Sequence, residues 1–254
     1  MMPDWSYHPL KKLLLDKISP KTGREFIHNS MSTIASVPGG RSLIGFLGHM
    51  KPASFFQKEI HQTIFPSFIG LSGDIDPNLS GINAFQELGF GFLEIGPIVL
   101  HEPLEQREPK KNNKHILFSD QQEKVPLKLA IKKLTSLNVR IPVFARVDAQ
   151  VNKNEWDIIV QQLTPFVDAF IVTDKQISSC DDQHVQCLER PLYISFSADE
   201  MKGLDTRKLQ HTCIAGIAVT APRIMKDGYW LEAANANECL ATIRLKKLND
   251  ELLS

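Results

Sequence analysis

The sequence has no excess charge of either sign and lacks a hydrophobic run long enough to span a membrane. Its 254 residues include 29 Lys and Arg and 29 Asp and Glu, so the formal net charge at pH 7 is zero. No global positive field attracts nucleic acid, and we expect no nucleic-acid partner. A spanning helix needs about 18 consecutive apolar residues. Charged residues interrupt Met1–Pro20, and no small-residue cleavage site follows, so we predict no signal peptide.

Cysteine is also scarce, and none is arranged as a metal-binding or redox pair. The chain has four cysteines and no C-x-x-C motif. A disulfide scaffold or a zinc ribbon is disfavoured at this length and spacing. Reduced thiols are typical of the cytosol, so we expect a cytoplasmic protein. The P-loop, G-x-G-x-x-G, H-E-x-x-H and G-x-S-x-G motifs are absent as well, which excludes the sites that these motifs build.

The segment Ile64–Leu100 carries the pattern of one βαβ unit. The apolar run Phe68–Leu71 ends in the polar turn Ser72–Asp76, and helical spacing of apolar residues follows. A second apolar run, Phe92–Ile95, comes directly afterwards. Strand, helix and strand in this order predict parallel pairing with a right-handed crossover. Ligands of such units bind over the carboxyl ends of the strands, which places Ser72–Asp76 and Gly96 at one mouth.

Strands and helices alternate along the remainder of the chain. Apolar and β-branched runs predict six strands, at 68–71, 92–95, 141–147, 169–173, 192–196 and 214–220. Helical spacing predicts further helices at 125–137, 156–163, 197–209 and 232–252. This order is typical of a parallel α/β fold, most simply a (β/α) TIM-type barrel. A closed barrel of this type needs eight strands, so we predict a barrel that is incomplete by about two βα units.

Two amphipathic helices are predicted before the barrel. Tyr7–Ile18 and Thr22–Ser36 space their apolar residues helically, and Pro20 separates them. We therefore divide the chain into an N-terminal helical extension, residues 1–60, and a barrel domain, residues 61–254. Two interpretations of the extension stay open: a helical cap on the barrel, or a pair of helices that dips into one face of a membrane.

Polar residues after two of the predicted strands offer weaker candidates. His101 and Glu102 follow the second strand, and a solvated loop is a better interpretation than a metal or acid–base site. Arg146 and Asp148 end the third strand. They allow either a site for a polar ligand or a surface salt bridge, and the salt bridge is the commoner outcome.

Two motifs resemble a known enzyme family. The chain reads IGLSGDIDPN over 69–78 and ELGFGFLEIG over 87–96. These resemble the G-L-A-A-G-x-D-K loop and the G-F-G-x-I-E-x-G-T strand of the class 2, membrane-associated dihydroorotate dehydrogenases. Asp4–Pro9 and the two helices after it resemble the N-terminal extension of that class, which docks on the membrane and forms the quinone tunnel. The similarity is good over Trp5–Leu100 and faint but collinear to Pro222.

The resemblance implies an eight-stranded barrel that holds FMN and oxidises dihydroorotate to orotate in pyrimidine biosynthesis. It also implies peripheral contact with the inner face of the membrane through the N-terminal helices. Small residues at the barrel mouth let a flavin ring lie against the backbone. Four residues fall on family positions at the flavin, and the resemblance predicts that they contact FMN: Gly73, Asp76, Gly96 and Thr220.

Most of the family's catalytic groups are missing, and we assign no catalytic residue. Pro77 replaces the lysine of the loop, Ser195 that of the fifth strand, and Ala221 the substrate-binding Asn. In place of the catalytic N-x-S-S-P-N loop, Ser179 and Cys180 lie a few residues late and lack both the Asn and the Pro. A positioned base contributes about 10²–10⁴-fold in rate, so these losses predict a catalytically degenerate relative. Two alternatives stay open: a flavoprotein with an altered substrate, and a non-catalytic binding or regulatory subunit whose partner chain completes the barrel.

Overall fold

A computed structural model describes residues 20–48, 57–60, 63–67, 69–102, 111–112, 115–116, 123–173, 176, 189–197 and 214–220. The helices predicted at 7–18 and 232–252 lie outside these residues, and so do residues 198–209 of the helix predicted at 197–209, whose first residue, Ser197, belongs to a strand instead. The described helices are α1 (Pro20–Ser36), α2 (Gly40–Gly48), α3 (Ile82–Phe85), α4 (Leu127–Ser136) and α5 (Lys153–Leu163), and a 3₁₀ turn (Thr164–Phe166) continues α5. The described strands are β1 (Lys58–Ile60), β2 (Thr63–Phe65), β3 (Gly70–Leu71), β4 (Phe92–Val99), β5 (Lys111–Asn112), β6 (His115–Ile116), β7 (Val125–Pro126), β8 (Val143–Val147), β9 (Ala169–Thr173), β10 (Leu192–Ser197) and β11 (Ile214–Thr220).

The centre of the fold is a curled parallel sheet. Its strands lie in the order β11-β10-β9-β8-β4-β3, and β7 pairs with the end of β4. Every pairing in this sheet is parallel. Helices α3, α4 and α5 lie in the connections between its strands, as in a (β/α) barrel. Within the described ranges, β3 and β11 are the two edges, and the sheet is a half-barrel.

Within the described residues the predicted incomplete barrel is confirmed. All six predicted strands are present: β9 and β11 have the predicted bounds, and the other four have altered bounds. Strand β4 continues past its predicted end to Val99 because Ile98 and Val99 pair with β7. The helix predicted from Val125 begins at Leu127 instead, since Val125 and Pro126 form β7. The pairing of β4 with β7 therefore shifts the end of β4 and the start of α4 away from the positions that local periodicity indicates.

Alternation along the strands gives the sheet two different faces. Leu93 of β4 and Ala145 of β8 belong to the main core, which packs the sheet against α4 and α5. The residues that alternate with them point to the inner face and form an aromatic layer. In this layer the ring centroids of Phe92 and Phe144 lie 4.7 Å apart, and those of Phe144 and Tyr193 lie 4.9 Å apart. The inner face is therefore filled by this chain's own side chains at this level.

The described N-terminal helices pack against α3, which connects β3 to β4. Ala35 of α1, Ile44 of α2 and Ala84 of α3 form a small buried cluster. Gly39 lies between the two helices with a φ of +80°, a conformation that favours glycine. This part of the predicted extension is a helical layer on the outside of the half-barrel. The division at residue 60 stays a prediction.

Candidate functional site

The turn after β3 meets β4 at the mouth, and both contribute glycine there. A Cβ on Gly73 would lie 2.5 Å from the backbone oxygen of Gly96. A Cβ on Gly96 would overlap the backbone oxygen of Arg146, and Gly96 has a φ of +115°. Only glycine meets both requirements at Gly96. The structure therefore brings two of the four predicted flavin residues into contact, and their small size lets backbone pack on backbone.

Asp76 organises the same loop. Its carboxylate accepts hydrogen bonds from the N–H of Ser80 at 3.0 Å, the hydroxyl of Ser80 at 3.1 Å and the N–H of Gly81 at 2.6 Å. His28 Nδ1 lies 3.1 Å away and carries the proton, since an ionised carboxylate only accepts. Burial opposes the charge, but the hydrogen bond and charge of His28 and the two amides hold the pKa of Asp76 below its ordinary value. Asp76 thus fixes the loop that leads into α3.

Side chains of α1 attach this helix to the loop. His28 is buried, and its ring packs edge-on against Phe85 with the centroids 5.0 Å apart. The hydroxyl of Ser32 donates to the backbone oxygen of Ser80 at 2.6 Å, and an amide N–H of Asn78 donates to Glu25. His28 and Asp76 are 48 positions apart in the sequence. The sequence analysis therefore missed this link between the N-terminal helix and the mouth, because no local pattern joins the two residues.

A buried ion pair lies on the inner face of the sheet. Arg146 Nη2 donates to Glu94 Oε2 at 2.8 Å, and the two side chains are 11% and 7% exposed. By alternation they share the face of Phe92 and Phe144. Burial opposes the charge of Arg146, but Glu94 and the nearby Asp74 hold the pKa of Arg146 above its ordinary value. The Nε atom of Arg146 is buried and has no hydrogen-bond partner.

Asp148 does not pair with Arg146, so the salt bridge predicted between these two residues is wrong. The alternative of a site for a polar ligand stays a prediction. Lys124 Nζ lies 3.1 Å from the Asp148 carboxylate instead. Gln176 connects the ends of β8 and β9: its Oε1 accepts from the N–H and hydroxyl of Thr173 at 2.9 and 3.0 Å. Its Nε2 donates to the backbone oxygens of Asp148 and Val147 at 3.1 and 3.3 Å. This glutamine, which the sequence analysis did not single out, fixes two strand ends at the mouth.

Thr220, the fourth predicted flavin residue, ends β11. It pairs with Ser197 of β10, and four strands separate β11 from β3 in the sheet. The structure therefore places Thr220 at the carboxyl end of the sheet, as Gly96 is, but not beside Gly96. Ser179, Cys180 and Ala221 lie outside the described residues.

Two features of the described mouth residues bear on the predicted flavin contacts. Backbone atoms lie close to the positions that a Cβ on Gly73 or Gly96 would take. A phosphate cradle needs backbone N–H groups directed at the ligand, whereas those of Ser80 and Gly81 bond to Asp76. The predicted contacts of these residues and of Thr220 with FMN stay predictions.

The described part of the chain contains neither a cluster of metal ligands nor a helix that could span a membrane. No group of three or more His, Cys, Asp or Glu side chains there is placed to hold a metal ion. No helix among the same residues is both long and apolar enough to cross a membrane.

Comparison with known proteins finds similarity over a partial region. No protein-family model matches the chain. The chain is 37% identical over 91 residues to the quinone dihydroorotate dehydrogenase of Pseudomonas aeruginosa, covering 36% of this chain and 25% of that protein. The same enzyme of Pseudomonas syringae pv. tomato is 38% identical over 90 residues, with 35% and 24% covered. That of Azotobacter vinelandii is 36% identical over 92 residues, with 36% and 24% covered.

The chain thus spans about a quarter of the length of the curated relatives that it matches. Among solved structures, the ligand-free type dihydroorotate dehydrogenase of Eimeria tenella gives a TM-score of 0.49 at 14% identity, with 73% of this chain and 69% of that chain covered. The complex of the Eimeria tenella enzyme with ferulenol gives 0.47 at 12% identity, with 79% and 71% covered. The predicted resemblance to the quinone-linked enzymes is confirmed over a partial region by the sequence similarity.

Proposed function

We propose that this chain is a diverged relative of the quinone-linked dihydroorotate dehydrogenases that no longer oxidises dihydroorotate. One observation carries the proposal: charged groups at the mouth are engaged within the chain itself. Arg146 is paired with Glu94 on the inner face. The carboxylate of Asp76 accepts from His28, Ser80 and Gly81.

The expected loss of rate is large. Dihydroorotate is an anion, and Glu94 neutralises the guanidinium of Arg146 that would otherwise attract it. Loss of a general base lowers a rate by about 10²–10⁴-fold. Loss of one electrostatic donor lowers it by about 10²–10³-fold. The two lower limits together predict a rate about 10⁴-fold below that of an intact relative.

The test compares this chain with the Pseudomonas aeruginosa enzyme, purified in the same way. The expression host lacks its own dihydroorotate dehydrogenase and grows on uracil, which removes contaminating activity. We measure flavin released on denaturation and dihydroorotate-dependent reduction of a soluble quinone analogue. We expect substoichiometric flavin, a kcat/KM at least about 10⁴-fold below the control, and no growth of the host without uracil. Stoichiometric FMN together with dihydroorotate-dependent turnover would refute the proposal.

Added FMN gives a second readout that does not depend on activity. A ligand at about 100 times its Kd stabilises the folded state by about 2.7 kcal/mol. We expect the midpoint of thermal unfolding of this chain to stay constant as FMN is added, and that of the control apoenzyme to rise. A rise for this chain at stoichiometric FMN would show that the flavin site is retained, and it would favour the alternative of a flavoprotein with an altered substrate.

A binding or regulatory subunit is the second candidate function. It is favoured by the sheet, in which β3 and β11 are edges within the described ranges. Edge strands present unpaired backbone groups that another chain can extend. If the occupant is a second copy, sedimentation velocity over a concentration series should show a dimer, and protection of β11 amides from hydrogen exchange should rise with it. A monomer at all concentrations would contradict pairing between copies.

Membrane contact through the N-terminal helices is a further proposal. Large apolar side chains on α1 and α2 are exposed: Phe26 by 51%, Ile34 by 43% and Leu43 by 48%. Burial of one such side chain contributes about 1.5–3 kcal/mol. The double variant Phe26→Ser/Leu43→Ser should lower partition onto phospholipid vesicles by about 10²-fold. Ile158→Ser is the control, since Ile158 is 38% exposed on α5. Equal partition of the two variants would exclude these helices as the contact.

A further inference from the structure

We infer that a groove beside helix α2 binds a long-chain fatty-acid anion. The groove is independent of the mouth. It has a volume of about 1140 Å³ and is lined by residues 35–39, 41–42 and 45–46 of the helical layer and by residues that precede strands of the sheet. Pro66 comes before β3, Phe90 before β4 and Ile141 before β8. It therefore opens at the amino ends of the strands, opposite Gly96 and Asp76.

The walls of the groove suit a hydrocarbon chain. Val37 and Phe46 contribute from the helical layer, and Pro66, Phe90 and Ile141 from the sheet. Phe46 is 69% exposed and Val37 is 51% exposed, so much of this apolar surface faces water. Burial of apolar surface contributes about 25 cal/mol per Å². The volume is not smaller than the range of about 300–1,000 Å³ that small-molecule sites occupy, so the groove has room for a ligand of fatty-acid size.

The charge at one side of the groove suits a single anionic head group. Arg41 and Arg140 both line the groove, and Glu87 is the carboxylate between them. Arg41 Nε lies 3.9 Å from Glu87 Oε1, and Arg140 Nη2 donates to the same oxygen. Two guanidinium groups thus share one carboxylate, which leaves an excess of one positive charge. Each guanidinium has five N–H donors, and one shared carboxylate cannot accept from all of them.

The first turn of α2 adds to this positive side. Gly39, Arg41 and Ser42 line the groove at the point where the nine-residue helix begins. The first amides of a helix lack intrahelical acceptors, and the helix dipole favours an anion there. Arg41 therefore brings both a side-chain charge and a helix terminus to the same end of the groove. A carboxylate bound between Arg41 and Arg140 would leave its chain to lie along Val37 and Phe46.

Gly45 provides a position from which a larger side chain can reduce the volume of the groove. It lines the groove from α2, and a Cβ added there would meet only the backbone oxygen of Glu87, at an ordinary 3.5 Å. Gly45→Leu therefore places a side chain in the groove, and replacing a helical glycine also favours the helix. Arg41→Gln/Arg140→Gln removes the excess charge. Both arginines are exposed enough that this loss should change stability little.

The experiment measures equilibrium dialysis of labelled palmitate, below its micelle concentration, against the full chain. We expect one palmitate per chain, weaker binding of hexadecanol, and affinities for palmitate at least about ten-fold lower in each of the two variants. Lys128→Gln/Lys132→Gln is the matched control, because it removes two exposed cations of α4, and it should bind as the wild type does. Inorganic phosphate should not displace palmitate, since it lacks the chain.

Three results would overturn the inference. The first is a lack of saturable palmitate binding, the second is a Gly45→Leu variant that binds palmitate as tightly as the wild type, and the third is hexadecanol that binds as tightly as palmitate. A chain that binds palmitate only when vesicles are present would assign the apolar surface to a membrane instead. A dimer that dissociates in the Gly45→Leu variant would assign the groove to a second copy. None of these outcomes depends on flavin or on dihydroorotate, so the test is separate from that of the proposed function.

Discussion

Replacing Asp76 with Asn tests the link between helix α1 and the mouth. The carboxylate accepts from two backbone N–H groups, one hydroxyl and His28. The amide of Asn has only one acceptor oxygen, so in either orientation its NH₂ group faces a donor. A buried unpaired donor costs about 1–3 kcal/mol, and loss of the charge weakens the remaining hydrogen bonds. We therefore expect Asp76→Asn to lower the free energy of unfolding by about 2–4 kcal/mol.

Urea and thermal unfolding measure this loss. In a chain of this size about 1 kcal/mol corresponds to 2–4 °C, so the midpoint should fall by about 5–15 °C. Asp157→Asn is the control, because Asp157 is exposed on α5 and its replacement should change stability by less than about 0.5 kcal/mol. A double-mutant cycle with His28→Ala should give a coupling of about 1–3 kcal/mol between the two residues.

The pH dependence follows from the lowered pKa of Asp76. A carboxyl group whose pKa is lower in the folded state contributes stability above its unfolded pKa and loses it as the pH falls through the folded pKa. The difference between the wild type and Asp76→Asn should therefore shrink as the pH falls below the ordinary aspartate pKa of about 3.9. An Asp76→Asn protein as stable as the wild type at neutral pH would refute the reasoning.

Two more perturbations test the packing of the mouth. Gly96→Ala should destabilise the fold by about 2 kcal/mol or more, because Gly96 has a positive φ and its Cβ position overlaps the backbone oxygen of Arg146. The control Gly45→Ala should instead stabilise the fold by about 0.5–1 kcal/mol. If urea unfolding gave both variants a change of the same sign, the close backbone packing at Gly96 would be contradicted. Arg146→Met leaves Glu94 buried without its partner and should cost about 3–5 kcal/mol. The double variant Glu94→Leu/Arg146→Met should recover most of that loss, and a double variant no more stable than Arg146→Met alone would count against the buried pair.

Local pattern was sufficient for the architecture but not for the ends of its elements. The apolar runs at 169–173 and 214–220 are strands with the predicted bounds, because buried parallel strands read as short, nearly continuous hydrophobic segments. Strand β7 was missed, since two residues before a helix carry no periodicity. Its existence depends on pairing with Ile98 and Val99, which a local window does not contain.

The candidate site shows the same difference between what local sequence indicates and what distant contacts decide. The motif resemblance located Gly73 and Asp76 on the loop where the structure has them, whereas Gly96 lies within β4 and not at its end. It did not reveal that Gly73 and Gly96 pack on each other, or that His28 is the partner of Asp76. The sequence analysis considered Asp148, a near neighbour in sequence, as the partner of Arg146, whereas the actual partner, Glu94, is 52 positions away. Side chains two positions apart on a strand share a face, but Arg146 binds the carboxylate of Glu94 on the neighbouring strand β4 instead.

By itself, the sequence determined the alternation of strands and helices, the parallel sheet and the similarity to quinone-linked dihydroorotate dehydrogenases over a partial region. Those properties follow from the hydrophobic periodicity and from short motifs, and both can be recognised within a short stretch of consecutive residues. Only the tertiary structure decided which charged groups meet, because such contacts join residues from distant strands and helices whose register is fixed by packing. The pairs Asp76–His28 and Glu94–Arg146 are therefore properties of the fold, and so is the groove beside α2.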